Sequence, residues 1–361
     1  MNAIVENPIP ERPERDVPHQ RAAVAAPHST HVFKLLLKRE FWEHKGGFLW
    51  APMVAGAIFL LLSLMGIGVG EMAAKNIPEH ATVNVDGGSF KVAGLNLGQI
   101  TDKMSPDELR ELGSGLDIAL VMASSWPFIV LAFVVFFYCL GSLYDDRKDR
   151  SVLFWKSLPL SDTSTVLSKV ASATLVAPTL ALIAAIATLF GFMLIISAIT
   201  MLHGGNPATL LWGPASPLKI IALLALSLPV YAAWALPTVG WLLLCSSWAR
   251  SKPFLWAIMI PLFAGIFVSW FDLMQAFNLE SSWFWKHVVG RLLLSTVPGS
   301  DLLYRGENLQ LGDDGLEHIN QLLSLRTAYG AFALPEMWAG IVAGAAMVFG
   351  AIRLRRWRDE G

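Results

Sequence analysis

Apolar runs long enough to cross a bilayer recur along this chain, and no other feature restricts its fold so strongly. They fall at about residues 48–69, 118–143, 166–201, 218–248, 253–271 and 336–352. A hydrocarbon core about 30 Å thick takes about 20 apolar residues of helix to span, and every backbone polar group inside it must be satisfied within that helix. Six such runs predict an all-α polytopic membrane protein: six transmembrane helices, an N-terminal interfacial helix and two extracytoplasmic segments. The composition agrees, since 54% of the 361 residues are hydrophobic and only 15% are charged, a balance foreign to soluble domains.

The segments between the runs divide the chain. Residues 1–30 carry Pro8, Pro10, Pro13, Pro18 and Pro27 among charges and alanines, which predicts a disordered tail with no signal peptide. An entry helix is expected over 31–47, with Lys34, Lys38 and Lys45 on one stripe and Phe33, Leu37 and Phe41 on its neighbour. Such a helix reads as one that rests on an anionic leaflet and as an ordinary juxtamembrane helix with snorkelling lysines, and the two are not exclusive. The remainder, 48–358, forms the six-span unit.

Two insertions, about 71–117 and 272–335, interrupt that unit. In the first, Val83-Asn84-Val85 and Phe90-Lys91-Val92 flank Asp86-Gly87-Gly88-Ser89, the pattern of a small hairpin. Ser105-Pro106-Asp107-Glu108 reads as a capping box opening a short helix toward Leu112. The second insertion is amphipathic through Trp283-Phe284-Trp285 and Leu292-Leu293-Leu294, which suggests helices at the interface. Trp126-Pro127 predicts a kink in the second span, and the third run is long enough either to tilt or to project beyond the bilayer. In the last span Gly340 and Gly344 stand in GxxxG spacing, a helix-packing pattern.

Orientation follows from where the basic residues lie. Lys34, Lys38, Arg39 and Lys45, then Arg147, Lys148, Arg150, Lys156 and Lys169, then Arg250 and Lys252, then Arg353, Arg355, Arg356 and Arg358 all fall on one side of a six-span scheme. Acids dominate the other side. Both termini are therefore expected in the cytoplasm. The net charge of −1 gives no reason for a nucleic-acid partner, and none is expected.

Few ionisable groups lie within the runs, whereas gradient-driven carriers keep a costly mid-membrane carboxylate, about 2.5–3.5 kcal/mol on insertion scales. His203, His287 and His318 lack metal-ligand spacing, Gly113-Ser114-Gly115 is no nucleophile elbow, and no GxxxxGK[ST] occurs. No catalytic residue, metal or cofactor is assigned to the chain. Cys139 and Cys245 read as buried small hydrophobes without a disulfide.

The densest charge lies at 144–169, between the second and third runs. Asp146, Arg147, Lys148, Asp149 and Arg150 precede Phe154, Trp155 and Leu158, and the segment stops at Pro159. It is either a solvated turn with an interfacial aromatic pair or a docking element, in which charges orient a partner and the apolar side chains fill a groove. The sequence Asp146-Arg147-Lys148, Ser151-Val152-Leu153, Ser157-Leu158-Pro159-Leu160-Ser161 and Leu167-Ser168-Lys169, in this order of parts, resembles the type-2 permease subunits of ATP-binding-cassette exporters. The loop carries the resemblance; the rest of 32–358 matches by topology.

That resemblance implies a permease of the bacterial inner membrane that pairs with itself or with a second permease chain. ATP and Mg would be bound by separate ATPase subunits. It implies that Asp146, Arg147, Lys148, Asp149 and Arg150 meet charges on the ATPase while Phe154, Trp155, Leu158 and Pro159 enter its groove. The 272–335 segment is long for such a family and reads equally as a cap, a partner site or a substrate-entry surface. Export of an amphiphilic or lipid-like substrate is the expectation; the alternative is a scaffold without transport that recruits a cytoplasmic partner through the same loop.

Overall fold

The computed structural model describes residues 29–75, 82–85, 88–91, 104–149, 161–274, 280–304 and 324–358. Helix α1 covers Ser29–Glu43. Among the described residues, six helices are long and apolar enough to cross a membrane: α2 (Gly46–Ala73), α3 (Pro106–Lys148), α4 (Asp162–Leu202), α5 (Pro217–Trp248), α6 (Pro253–Leu273) and α9, whose apolar stretch is Pro335–Trp357. Between α6 and α9 lie α7, a short helix over 281–294 with a π-turn at Trp285–Gly290, and α8 (Leu325–Gly330). Strands β1 (Thr82–Val85) and β2 (Gly88–Lys91) form one antiparallel hairpin, with Val85 opposite Gly88. The second strand thus starts earlier than the sequence suggests. The chain is a polytopic helical membrane protein.

The core explains this assembly. Phe48, Leu131, Val135, Cys139, Val166, Ala173, Val239, Leu242 and Ala351 are buried in one cluster that joins α2, α3, α4, α5 and α9. Cys139 and Cys245 are buried and free. The outer faces of α2 and α6 expose Leu61, Leu62, Met65, Phe263, Phe267 and Trp270, a display that water would not tolerate and hydrocarbon would.

Closest packing is between α5 and α9, where small residues let the backbones meet. A Cβ on Gly344 would lie 2.7 Å from the Leu236 carbonyl, and one on Gly240 would lie 2.6 Å from the Gly344 oxygen. Gly340 faces a different neighbour: its Cβ would strike the Arg291 guanidinium.

The helix expected to run only toward Leu112 is instead the first part of α3, which continues unbroken for 43 residues through Pro127. Its capping box is formed, with the Glu108 N–H donating to Ser105 Oγ and the Ser105 N–H donating to Glu108 Oε2. Continuity comes from tertiary contact. Gly113 approaches the Pro214 carbonyl, and Asp117 Oδ1 accepts the Ser216 N–H at 2.7 Å just before α5 begins. Gly113-Ser114-Gly115, helix-weak in isolation, is the place where α3 admits that neighbouring backbone.

Candidate functional site

The ends of α1, α3, α4, α5 and α9 meet at one end of the bundle, and there the structure gathers charges that lie far apart in sequence. Glu40 and Lys169 are each 1% exposed, and Lys169 Nζ lies 3.1 Å from Glu40 Oε1. The same ammonium lies 3.4 Å from Asp146 Oδ2. Tyr138 donates its hydroxyl proton to Glu40 Oε2 at 2.7 Å. Helix α1 therefore does more than present lysines: Leu36 and Glu40, one turn apart, form its buried face.

Arg355, 5% exposed and near the end of α9, touches both borders of the charged loop. Its Nη1 lies 3.5 Å from Asp146 Oδ2 at the end of α3, and its Nε lies 3.3 Å from Asp162 Oδ1 at the start of α4. Arg39 extends the network, at 2.6 Å from Glu43 and 3.9 Å from Asp146. One arginine thus bridges the two helices from which the loop springs.

Arg147 is engaged within the chain too. Its Nη2 donates to the carbonyls of Ser246 at 2.6 Å and Ala249 at 2.9 Å, capping the C-terminal end of α5. Ser246, fully buried, accepts the N–H groups of Leu143 and Tyr144 and donates to the Leu140 carbonyl. A side chain of α5 thereby enters the hydrogen-bond ladder of α3.

These contacts change the sequence expectation. Asp146 and Arg147, expected to face a partner, are used inside the molecule, because burial of Lys169 and Arg355 demands anionic neighbours and the α5 terminus demands donors. Lys148 and Asp149 close α3 at its exposed end. Arg150, Phe154, Trp155, Leu158 and Pro159 lie outside the described residues, as does the tail over 1–28. Lys34 and Lys38 are exposed on α1, and Lys45 sits over the Trp42 ring, 5.1 Å from its centroid.

Glu40, Glu43 and His44 bring ligand-type atoms within 4.8 Å of one another. Lys169 and Arg39 already neutralise the two carboxylates, so the triad is an ion-pair cluster rather than a metal centre.

Comparison with protein families, curated proteins and solved structures finds no match.

Partway along α5, beside the start of α9, lies a second polar cluster, which sequence reading missed. Arg291 of α7 is buried, its guanidinium carbon 3.6 Å from the centroid of the Trp234 ring. It donates to the Trp234 carbonyl, to Ser295 Oγ and to the Glu336 carbonyl. Burial pulls its pKa down to about 10, against the opposing pull of Tyr304, Asp301 and Glu336, so it stays cationic at neutral pH. Tyr304 moves upward, mainly by burial. A lone arginine in an amphipathic stretch gives no sequence signal of this stacking.

Beside this cluster, α3, α4, α5, residues 297–302 and Ser324 and Ala328 line a half-open cavity of about 330 Å³. Trp234 borders it. Trp126 and Trp256 are exposed, and Trp241 donates to the Ala257 carbonyl.

Proposed function

We propose that the chain is the membrane permease subunit of an ATP-driven transporter and moves an amphiphilic substrate with the help of separate ATPase subunits. The observation that carries this reading is the Arg355 bridge. Both borders of the charged loop are held to α9, and through Asp146 and Lys169 to Glu40 on α1, so displacement of the loop is transmitted to four helices at once. The chain carries no P-loop sequence, so the force is supplied by a partner.

In this reading the network end faces the cytoplasm, in accord with its basic residues. The 150–160 segment meets the ATPase, and a second permease chain completes the assembly. Asp146 and Arg147 act as the root of the docking element, while Arg150, Phe154, Trp155 and Leu158 form its contact surface.

The test is to co-purify the chain with any ATPase encoded beside its gene and follow ATP turnover in liposomes. Turnover should rise on adding the permease and change with candidate amphiphiles. Phe154→Ala with Trp155→Ala should weaken association while membrane insertion is kept. Full co-purification of that double variant removes the docking assignment; turnover indifferent to the permease favours a scaffold.

A further inference from the structure

The 330 Å³ cavity lies far from the charge network. Along α3, Leu131 and Ser124 on the cavity wall stand about 22 and 33 Å from Asp146, which sets the cavity within the span of the bundle and apart from the network. Its size is that of a small-molecule site. Phe128, Leu224, Leu228 and Trp234 supply apolar walls, and Asp301 stands on the segment that closes one side. Ile129 and Val297 at its edge are exposed on the molecule's exterior.

The hydrogen-bonding character of the wall is one-sided. Ser124 and Ser227 donate their hydroxyl protons to the carbonyls three residues back, Val121 and Leu224, and Ser125 does the same to Met122. Tyr231 donates to the Thr296 carbonyl, and Trp234 Nε1 donates to Ser300. Ser324 exchanges its bond with the Thr327 hydroxyl. The donors of Ser125, Ser227, Tyr231 and Trp234 are committed elsewhere, and the Ser125 and Ser227 oxygens keep lone pairs to offer, while Ser124 is fully buried behind them. Asp301 adds a carboxylate, set in the field of Arg291.

An acceptor-rich, donor-poor wall discriminates. A ligand that donates finds partners, whereas one that only accepts leaves buried groups unpaired. Resting on the transport reading above, we propose that this cavity is the binding site for a single-chain amphiphile whose head group donates hydrogen bonds, an ammonium or a hydroxyl. The chain lies along Phe128, Leu224 and Leu228, and the head turns toward Asp301.

Full-length protein in nanodiscs, without partner or ATP, is photolabelled with a diazirine-bearing alkylammonium, the matched alkanol and the matched alkyl carboxylate, and adducts are mapped by mass spectrometry. The ammonium and the alcohol should give saturable adducts on Phe128, Leu224 or Leu228, with the carboxylate at least about tenfold weaker. Asp301→Asn should weaken the ammonium about tenfold and leave the alcohol within about twofold. Leu224→Trp, or Ser227→Leu should the first fail to fold, should abolish saturable labelling of the cavity. Unsaturable adducts spread over the outer helix faces, or a carboxylate labelling equally well, overturn the proposal. Because no ATPase is present, saturable binding that leaves turnover unaffected in the liposome assay counts against transport and not against the site.

Discussion

Lys169 is the residue on which the largest single cost is concentrated. A buried ammonium between two carboxylates gains from both, but removing it leaves Glu40 charged and out of water. Loss of one member of a buried pair costs about 3–5 kcal/mol, whereas replacing both by apolar residues of similar volume is near neutral. Lys169→Met should therefore lower the thermal midpoint sharply in detergent, and adding Glu40→Leu should recover most of that loss. A double variant no more stable than Lys169→Met would mean that Tyr138 and Asp146, rather than the pair, set the energy. None of this was legible beforehand. Lys169 counts as one more basic residue near a span, and Glu40 hides among lysines, because the partners lie on different helices and only packing brings them together.

At the level of elements, the hydrophobic period placed all six spans, since chain length against bilayer thickness leaves little choice. Boundaries depended on contacts instead. The start of α3 was readable from Ser105 and Glu108, but its continuity through Gly113 rests on Pro214 and Asp117, about which a local pattern is silent. The GxxxG pair illustrates the same limit. Gly344 lies against the backbone of α5 and Gly340 against a side chain, so equal spacing carries unequal consequences. Gly344→Ala must force α5 and α9 apart and should destabilise by about 1–3 kcal/mol. Gly340→Ala must displace Arg291 from the Trp234 face, adding loss of a cation–π contact worth about 0.5–2 kcal/mol. Gly68 has open space around its would-be Cβ, so Gly68→Ala should be neutral or stabilise by up to about 1 kcal/mol. Thermal unfolding of the three variants in one detergent checks the order; equal effects at 344 and 68 would refute the close approach of α5 and α9.

Across the whole molecule, two polar centres are set apart within a largely apolar bundle, and α5 and α9 connect them. Helix α5 touches both, through Ser246 and the Ala249 carbonyl at its C-terminal end and through Trp234 and Thr238 partway along it. Helix α9 does the same through Arg355 and the Glu336 carbonyl. Rigid helices with a polar joint at each centre can carry a displacement from loop to cavity as a small shift of packed elements. Arg355 is the place to cut that path, because it is the contact that holds both Asp146 and Asp162 to α9. On the transport reading, Arg355→Gln should leave the proposed ATPase associated, since the 150–160 segment assigned to its contact is unchanged, yet make ATP turnover unresponsive to the amphiphile. Arg355→Lys should restore part of the response, since an ammonium retains the charge but loses the two-sided reach of the guanidinium. Measuring association and ligand-responsive turnover on the same preparations separates the outcomes. If Arg355→Gln keeps the full response, α9 is not in the path and the joint serves stability alone; if association is lost as well, the bridge supports the docking surface itself.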